Sequence, residues 1–175
     1  MSARQSEPGR AGSRYTFVTE WTIDAPIAAV WQEIHDVQQW PSWWRGVVDV
    51  ELAEAGDDDG VGSYRRMTWK SLLPYKLRFN MRTTRIEGPK QIAEPSSARP
   101  WIIDGVADGE LCGTGKWTLT PTSAGTHLRY DWTVDATKPW MRALGPIARP
   151  AFEWNHDIIM RWGLEGLRRR LRLTA

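Results

Sequence analysis

Twelve tryptophans are spread along the 175 residues of the chain, at positions 21, 31, 40, 43, 44, 69, 101, 117, 132, 140, 154 and 162, rather than gathered in one segment. Each indole buries on the order of 200 Å² and carries one N–H that needs a partner when buried. A chain built this way wants either a dense aromatic core or a wide-walled cavity for an apolar ligand with a few polar groups. Its length suffices for one domain held without a disulfide or metal. The lone Cys112 excludes an internal disulfide and a cysteine zinc cluster, which fits a reducing, cytoplasmic setting. Lys and Arg number 23 against 21 Asp and Glu, a net +2, so no basic face suggests nucleic acid as a partner. No apolar run reaches the roughly 18 residues of a membrane span. Residues 1–14 are Ser, Gly, Arg and Pro in character and read as a loose, disordered arm ahead of a single domain over 15–175.

Along that domain, Tyr15, Phe17, Trp21 and Ile23 share one parity and Thr16, Glu20, Thr22 and Asp24 the other, which predicts a half-buried strand. Asp24 and Pro26 then start a helix with Ile27, Val30, Trp31 and Ile34 on one face, and a second short turn is expected to end around Trp40 and Pro41. Strands are predicted over Val47 to Leu52, Ser63 to Lys70 and Tyr75 to Glu87, the last with Tyr75, Leu77, Phe79 and Met81 on its dry face. The stretch from Lys90 to Gly105 contains Pro95 and Pro100 and reads as a surface excursion. A hairpin around Ser123 to Gly125 joins Gly113 to Thr120 with Thr126 to Ala136, whose Leu128, Tyr130, Trp132 and Val134 share a face. Pro139, Pro146 and Pro150 interrupt a helical pattern that then runs free of proline from Ala151 to about Leu173. Its stripe of Phe152, His156, Ile159, Gly163 and Leu167 must cover something apolar, and the dry face of the antiparallel sheet is the surface available. The fold class is therefore α+β.

The order of elements, with Trp21 to Pro26, Val30 and Trp31, the run Trp40 to Trp44, and the closing Trp154 to Asp157 and Met160 to Gly163, resembles the SRPBCC (START/Bet v 1-like) superfamily, in its polyketide cyclase/dehydrase and lipid-transport branch. The resemblance spans about Tyr15 to Leu173. It implies a helix-grip fold: two short helices after the first strand, then a curved antiparallel sheet wrapped around a long C-terminal helix, with a hydrophobic cavity between them. One departure is the apparent insertion of extra residues between Ile92 and Val106, near the expected cavity mouth, where long loops often act as lids.

His156 shares the helix face of Phe152 and Ile159, so an inward imidazole is a candidate acid, base or ligand anchor and the one tentative catalytic residue; a core histidine bonded to a neighbour is the plainer alternative. If their strand has a buried face, one of Arg65 and Arg66 points inward, and Arg66 is the candidate grip for a carboxylate or enolate; both lying in water at the open end of the sheet is the plainer alternative. With the resemblance, Trp69, Phe79, Met81, Trp117, Tyr130, Trp132, Phe152, Ile159 and Met160 become candidate ligand-binding walls, while Trp40, Trp43 and Trp44 are expected to serve packing. His35, His127 and His156 show no two-ligand spacing, so no metal is expected. No Gly-rich loop opens a helix, so no nucleotide cofactor is expected either. Three functions fit: a binder or carrier of a small hydrophobic ligand such as a lipid, polyketide or aromatic; a polyketide cyclase or dehydratase using the same cavity through His156, Tyr130 or an arginine; and a protein-interaction module docking through exposed tryptophans.

Overall fold

The alternation that opens the chain does form a strand. In the computed structural model, which describes residues 14–89 and 99–174, β1 (Arg14–Ile23) buries Tyr15, Trp21 and Ile23 and exposes Thr16, Glu20 and Thr22. Arg14, expected in the arm, is the strand's first residue, opposite Asp135 and ion-paired with it at 3.4 Å. The rest of the arm lies outside the described residues. Next, α1 (Ile27–His35) buries Val30, Trp31 and Ile34. A single 3₁₀ turn over residues 37–39 leads to α2 (Trp40–Trp43), with Pro41 in its first turn. Pro41 thus begins a helical turn rather than ending one, because a first-turn residue has no N–H bond to lose.

The strands β2 (Val47–Glu54), β3 (Tyr64–Lys70), β4 (Lys76–Glu87), β5 (Trp101–Gly109), β6 (Leu111–Thr122) and β7 (Gly125–Ala136) join β1 in one sheet of order β1-β7-β6-β5-β4-β3-β2, antiparallel throughout. The chain closes with α3 (Pro139–Thr174), whose residues from Phe152 to Leu171 pack on the inner face of this curved sheet. This is the expected α+β, helix-grip arrangement.

Two expectations need correction. The surface excursion over residues 90–105 is half sheet: residues 101–105 belong to β5, which lies in the middle of the sheet between β4 and β6, with Trp101 and Ile102 buried. Pro100 does stay out of the strand, as a residue without an N–H must, but it marks the strand's start, and Asp104 and Gly105 dilute the apolar alternation that follows. Residues 90–98 lie outside the described residues. The closing helix, in turn, is not interrupted at Pro146 or Pro150 but runs 36 residues from Pro139, about 54 Å at 1.5 Å per residue. Tertiary packing overrides the local penalty, for Met141, upstream of both prolines, is buried in the core.

The tryptophans explain how the layers lock. Trp21, Trp31, Trp40, Trp43, Trp44, Trp69, Trp101, Trp117 and Trp132 are all buried. Trp44 lies among five other indoles, with ring centroids 5.0 Å from Trp40, 5.2 Å from Trp69, 5.4 Å from Trp43, 5.8 Å from Trp21 and 6.3 Å from Trp117. Its Nε1 donates to the Ile159 carbonyl of α3 at 2.8 Å. This approach requires a bare backbone at Gly163, where an added Cβ would stand 2.5 Å from Trp44 Cε2. Helix propensity alone predicts that Gly163→Ala stabilises an α-helix by about 1 kcal/mol. Overpacking of a rigid ring costs roughly 1–3 kcal/mol or more. Gly163→Ala should therefore lower the urea midpoint at unchanged m-value, and a raised midpoint would refute the interlock.

Candidate functional site

Between α3 and the inner face of the sheet lies a cavity that opens to solvent. Its position follows from strand parity. On β3 the inner positions are Arg65, Met67 and Trp69; on β4 they are Leu77, Phe79, Met81 and Thr83; on β7 they are Tyr130, Trp132 and Val134. The strands hold these side chains in rows: Arg65 is opposite Met81, Met67 opposite Phe79, and Tyr130 opposite Trp117. From α3, Phe152, Asn155, His156, Ile159 and Met160 complete the lining.

The walls are flat and aromatic. Tyr130 stacks on Trp117 at 4.0 Å and on Trp132 at 5.8 Å, with the planes within 21° and 19°. The inner-face neighbour of Trp132 is Gly115, where a Cβ would stand 2.8 Å from the Tyr130 hydroxyl. Gly115 in turn pairs with Gly105, so a patch of bare backbone lies within the lining. Burial raises the Tyr130 phenol well above its usual value, so it stays a neutral hydrogen-bonding group. Burial likewise pushes Tyr75 up to about 12, helped by Tyr15 and Glu110.

Several polar groups interrupt this apolar surface, among them Asp104, whose Oδ1 is buried without a hydrogen-bond partner, and two further groups stand out. Arg65 Nη1 donates to Ser63 Oγ at 2.6 Å and to Thr83 Oγ1 at 3.3 Å, while its buried Nε has no hydrogen-bond partner. Among the described residues no carboxylate oxygen lies within 4 Å of this guanidinium. Burial lowers its pKa, against a smaller opposing pull from Asp36 at the end of α1. The second group lies on the α3 and β1 side, where His156 stacks on Phe17 with centroids 4.0 Å apart. Both imidazole nitrogens, the Asn155 Oδ1 and the Tyr15 hydroxyl are buried there without a hydrogen-bond partner. Asp157 Oδ1 stands 3.7 Å from His156 Nδ1, too far for a hydrogen bond but near enough to attract a charged ring. Burial wins: it pushes the His156 pKa down to about 4, with Asp157 opposing.

Of the residues expected at the site, Trp69, Phe79, Met81, Trp117, Tyr130, Trp132, Phe152, His156, Ile159 and Met160 all line this cavity. Arg66 does not. It lies on the outer face, exposed and paired with Glu51 at 2.8 Å, and Arg65 takes the inward place. The signal was in the parity, since Arg65 keeps step with Met67 and Trp69 while Arg66 keeps step with Thr68. Asn155, next to His156 along the helix, also lines the cavity, because the covered stripe is wide enough for both to face inward. Trp40 and Trp44 combine packing with lining, and Trp43 packs against Trp44. Of the other tryptophans with described side chains, Trp162 sits beneath the Arg45 guanidinium and Trp154 is 52% exposed. A cluster of exposed indoles, which the interaction module needs, is therefore missing among the described residues. Nor do the described residues hold three His, Cys, Asp or Glu side chains placed to bind a metal ion, or a helix long and apolar enough to cross a membrane.

The burial of His156 gives a pH signature. Its unfolded pKa is near 6.5 and its folded pKa near 4, so below pH 6.5 the unfolded chain takes up a proton that the folded chain does not. This contribution is complete above pH 6.5 and is lost as the pH falls toward 4, by on the order of 3 kcal/mol in all. Urea midpoints at pH 7.5 and 4.5 should fall further in the wild type than in His156→Phe. Equal falls would mean that the imidazole is charged in the fold.

The family described as Polyketide cyclase / dehydrase and lipid transport matches residues 14–172. No curated protein matches the chain by sequence. Among solved structures, a Thermus thermophilus protein aligns at TM-score 0.70 and 16% identity over 93% of this chain and 99% of its own. The Zhui aromatase/cyclase from Streptomyces aligns at 0.64 and 16% over 91% and 94%, and a START superfamily protein from Mycobacterium smegmatis at 0.61 and 16% over 94% and 100%. At such identities these likenesses establish the helix-grip fold and nothing finer.

Proposed function

The chain belongs to the polyketide cyclase/dehydrase and lipid-transport family, and from that premise we propose that residues 15–175 act as one domain binding a small hydrophobic ligand that carries an anionic oxygen. The observation behind this reading is Arg65, an inward guanidinium with hydroxyl partners only and one buried donor unused. A cation taken from water into an apolar cavity without a carboxylate is poorly compensated. A ligand carboxylate or enolate supplies the missing charge and accepts from Nε, while Met67, Trp69, Phe79, Met81 and Trp132 bury its apolar body. A plain alkane body without the anion leaves the guanidinium as it was.

A cyclase or dehydratase reading is supported by one further observation. His156 lines the same cavity and is neutral at pH 7, so it is able to accept a proton from a poly-keto chain whose acid end Arg65 would hold. Stoichiometric uptake without chemical change separates the binder from the enzyme.

Decanoate and decanol test the anionic preference, each displacing the fluorescent probe anilinonaphthalene sulfonate. One charge-assisted hydrogen bond contributes about 1.5–3 kcal/mol, so Arg65→Met should weaken decanoate binding roughly 10- to 100-fold and leave decanol nearly unchanged. The same substitution removes an under-partnered buried cation, so thermal stability should hold or rise. Equal losses for both ligands, or no displacement by either, would count against the proposal.

A further inference from the structure

Buried polar atoms in folded proteins nearly always have partners, and each exception calls for an explanation. Here four such atoms fall together: His156 Nδ1 and Nε2, Asn155 Oδ1 and the Tyr15 hydroxyl. They belong to one neighbourhood, since Phe17 stacks on His156 at 4.0 Å and on Tyr15 at 6.0 Å, and Phe152 meets Tyr15 edge-on at 5.7 Å. Every one of these residues lines the cavity. The group lies well away along the sheet from Arg65, because β1 and β3 are separated by β7, β6, β5 and β4. The lining between the two polar groups is mostly apolar, with Phe79, Met81, Trp132 and Ile159 among it, and Tyr130 and the Asp104 carboxylate also belong to it.

We propose that the ligand is polar at both ends, with its anionic oxygen at Arg65 and a neutral hydroxyl or keto oxygen received by His156 and Asn155. This rests on the reading of Arg65 given above. The donor and acceptor inventory fits a hydroxyl best. A neutral imidazole offers one N–H and one acceptor nitrogen, the Asn155 oxygen is a second acceptor, and the Tyr15 hydroxyl both donates and accepts. A hydroxyl accepts from the imidazole N–H and donates to Asn155 Oδ1; a keto oxygen uses only the donors. A hydrocarbon terminus satisfies none of them and leaves every atom of the group unpaired, which is the situation in which a site discriminates most strongly against the analogue lacking the oxygen. The substrate class is thus an oxygenated acid, such as a hydroxy or keto fatty acid or a polyketide-derived acid, rather than a simple fatty acid.

The test compares straight-chain acids of about 8 to 16 carbons with their ω-hydroxy counterparts, by displacement of anilinonaphthalene sulfonate from the full chain. At one or more lengths the hydroxy acid should bind roughly 10-fold tighter than its parent, the equivalent of one hydrogen bond to an otherwise unpaired group. His156→Phe and, as a second variant that leaves the Phe17 stack alone, Asn155→Leu should bring that ratio close to one. Arg65→Met should weaken both acids of a pair alike and keep the ratio. Acids that bind with no hydroxyl preference at any length, or a preference that survives both variants, overturn the second pole while leaving the proposed function standing. Failure of every acid to bind overturns both.

Discussion

The hydrogen bond from Trp44 to the Ile159 carbonyl fixes where the long helix sits, and the cavity depends on that position. The ring reaches the carbonyl only because Gly163 leaves the helix surface bare, and beside it Gly166 allows the Trp43 carbonyl to come equally close. Trp44 is also where indoles from β1, β3, β6 and α2 converge, so the helix is referenced to several strands at once. A large aromatic cluster of this kind has few alternative packings, because rings of this size tolerate little rearrangement at interior density. The rigid region lies on one flank of α3. Beyond it, where Phe152, Asn155 and His156 face Phe17 and Tyr15, the side chains frame space rather than fill it.

Within that frame the chemistry is sparse and separated. Tyrosines are kept neutral by burial, and so is His156, while Arg65 carries a charge with no carboxylate oxygen within 4 Å among the described residues. Several of this chain's ion pairs lie elsewhere, on the outer face of the sheet, where Arg66 meets Glu51, Arg82 meets Glu54 and Arg129 meets Asp131. Those pairs are solvent-exposed and contribute little individually. They keep the outer face soluble while the inner face remains apolar enough to bury a ligand.

Much of this was legible in the residues. Period-two alternation found β1, β4 and β7 with the right faces, and the helical stripe found the inward set of α3, including His156. What escaped did so for physical reasons. β5 was hidden because a central strand with Asp104 and Gly105 in its middle has no clean alternation, and because prolines ahead of it suggested a loop. The first part of α3 was hidden because proline is a strong local breaker, while the packing of Met141 is a long-range property that no window of sequence contains. The exchange of Arg66 for Arg65 was of another sort, since the neighbouring Met67 and Trp69 already fixed which arginine faces inward.

The bare backbone at Gly105 and Gly115 separates two variables that are usually tied together in a binding site. Room inside the cavity depends there on missing side chains in β5 and β6, whereas its polarity is set from β3, β1 and α3. A lineage descending from this protein can narrow its choice of ligand by acquiring a methyl group at Gly105, with the flexible Met81 side chain yielding. No ionisable group has to move for that to happen. Descendants could thus diverge in the bulk of what they accept long before they diverge in its functional groups.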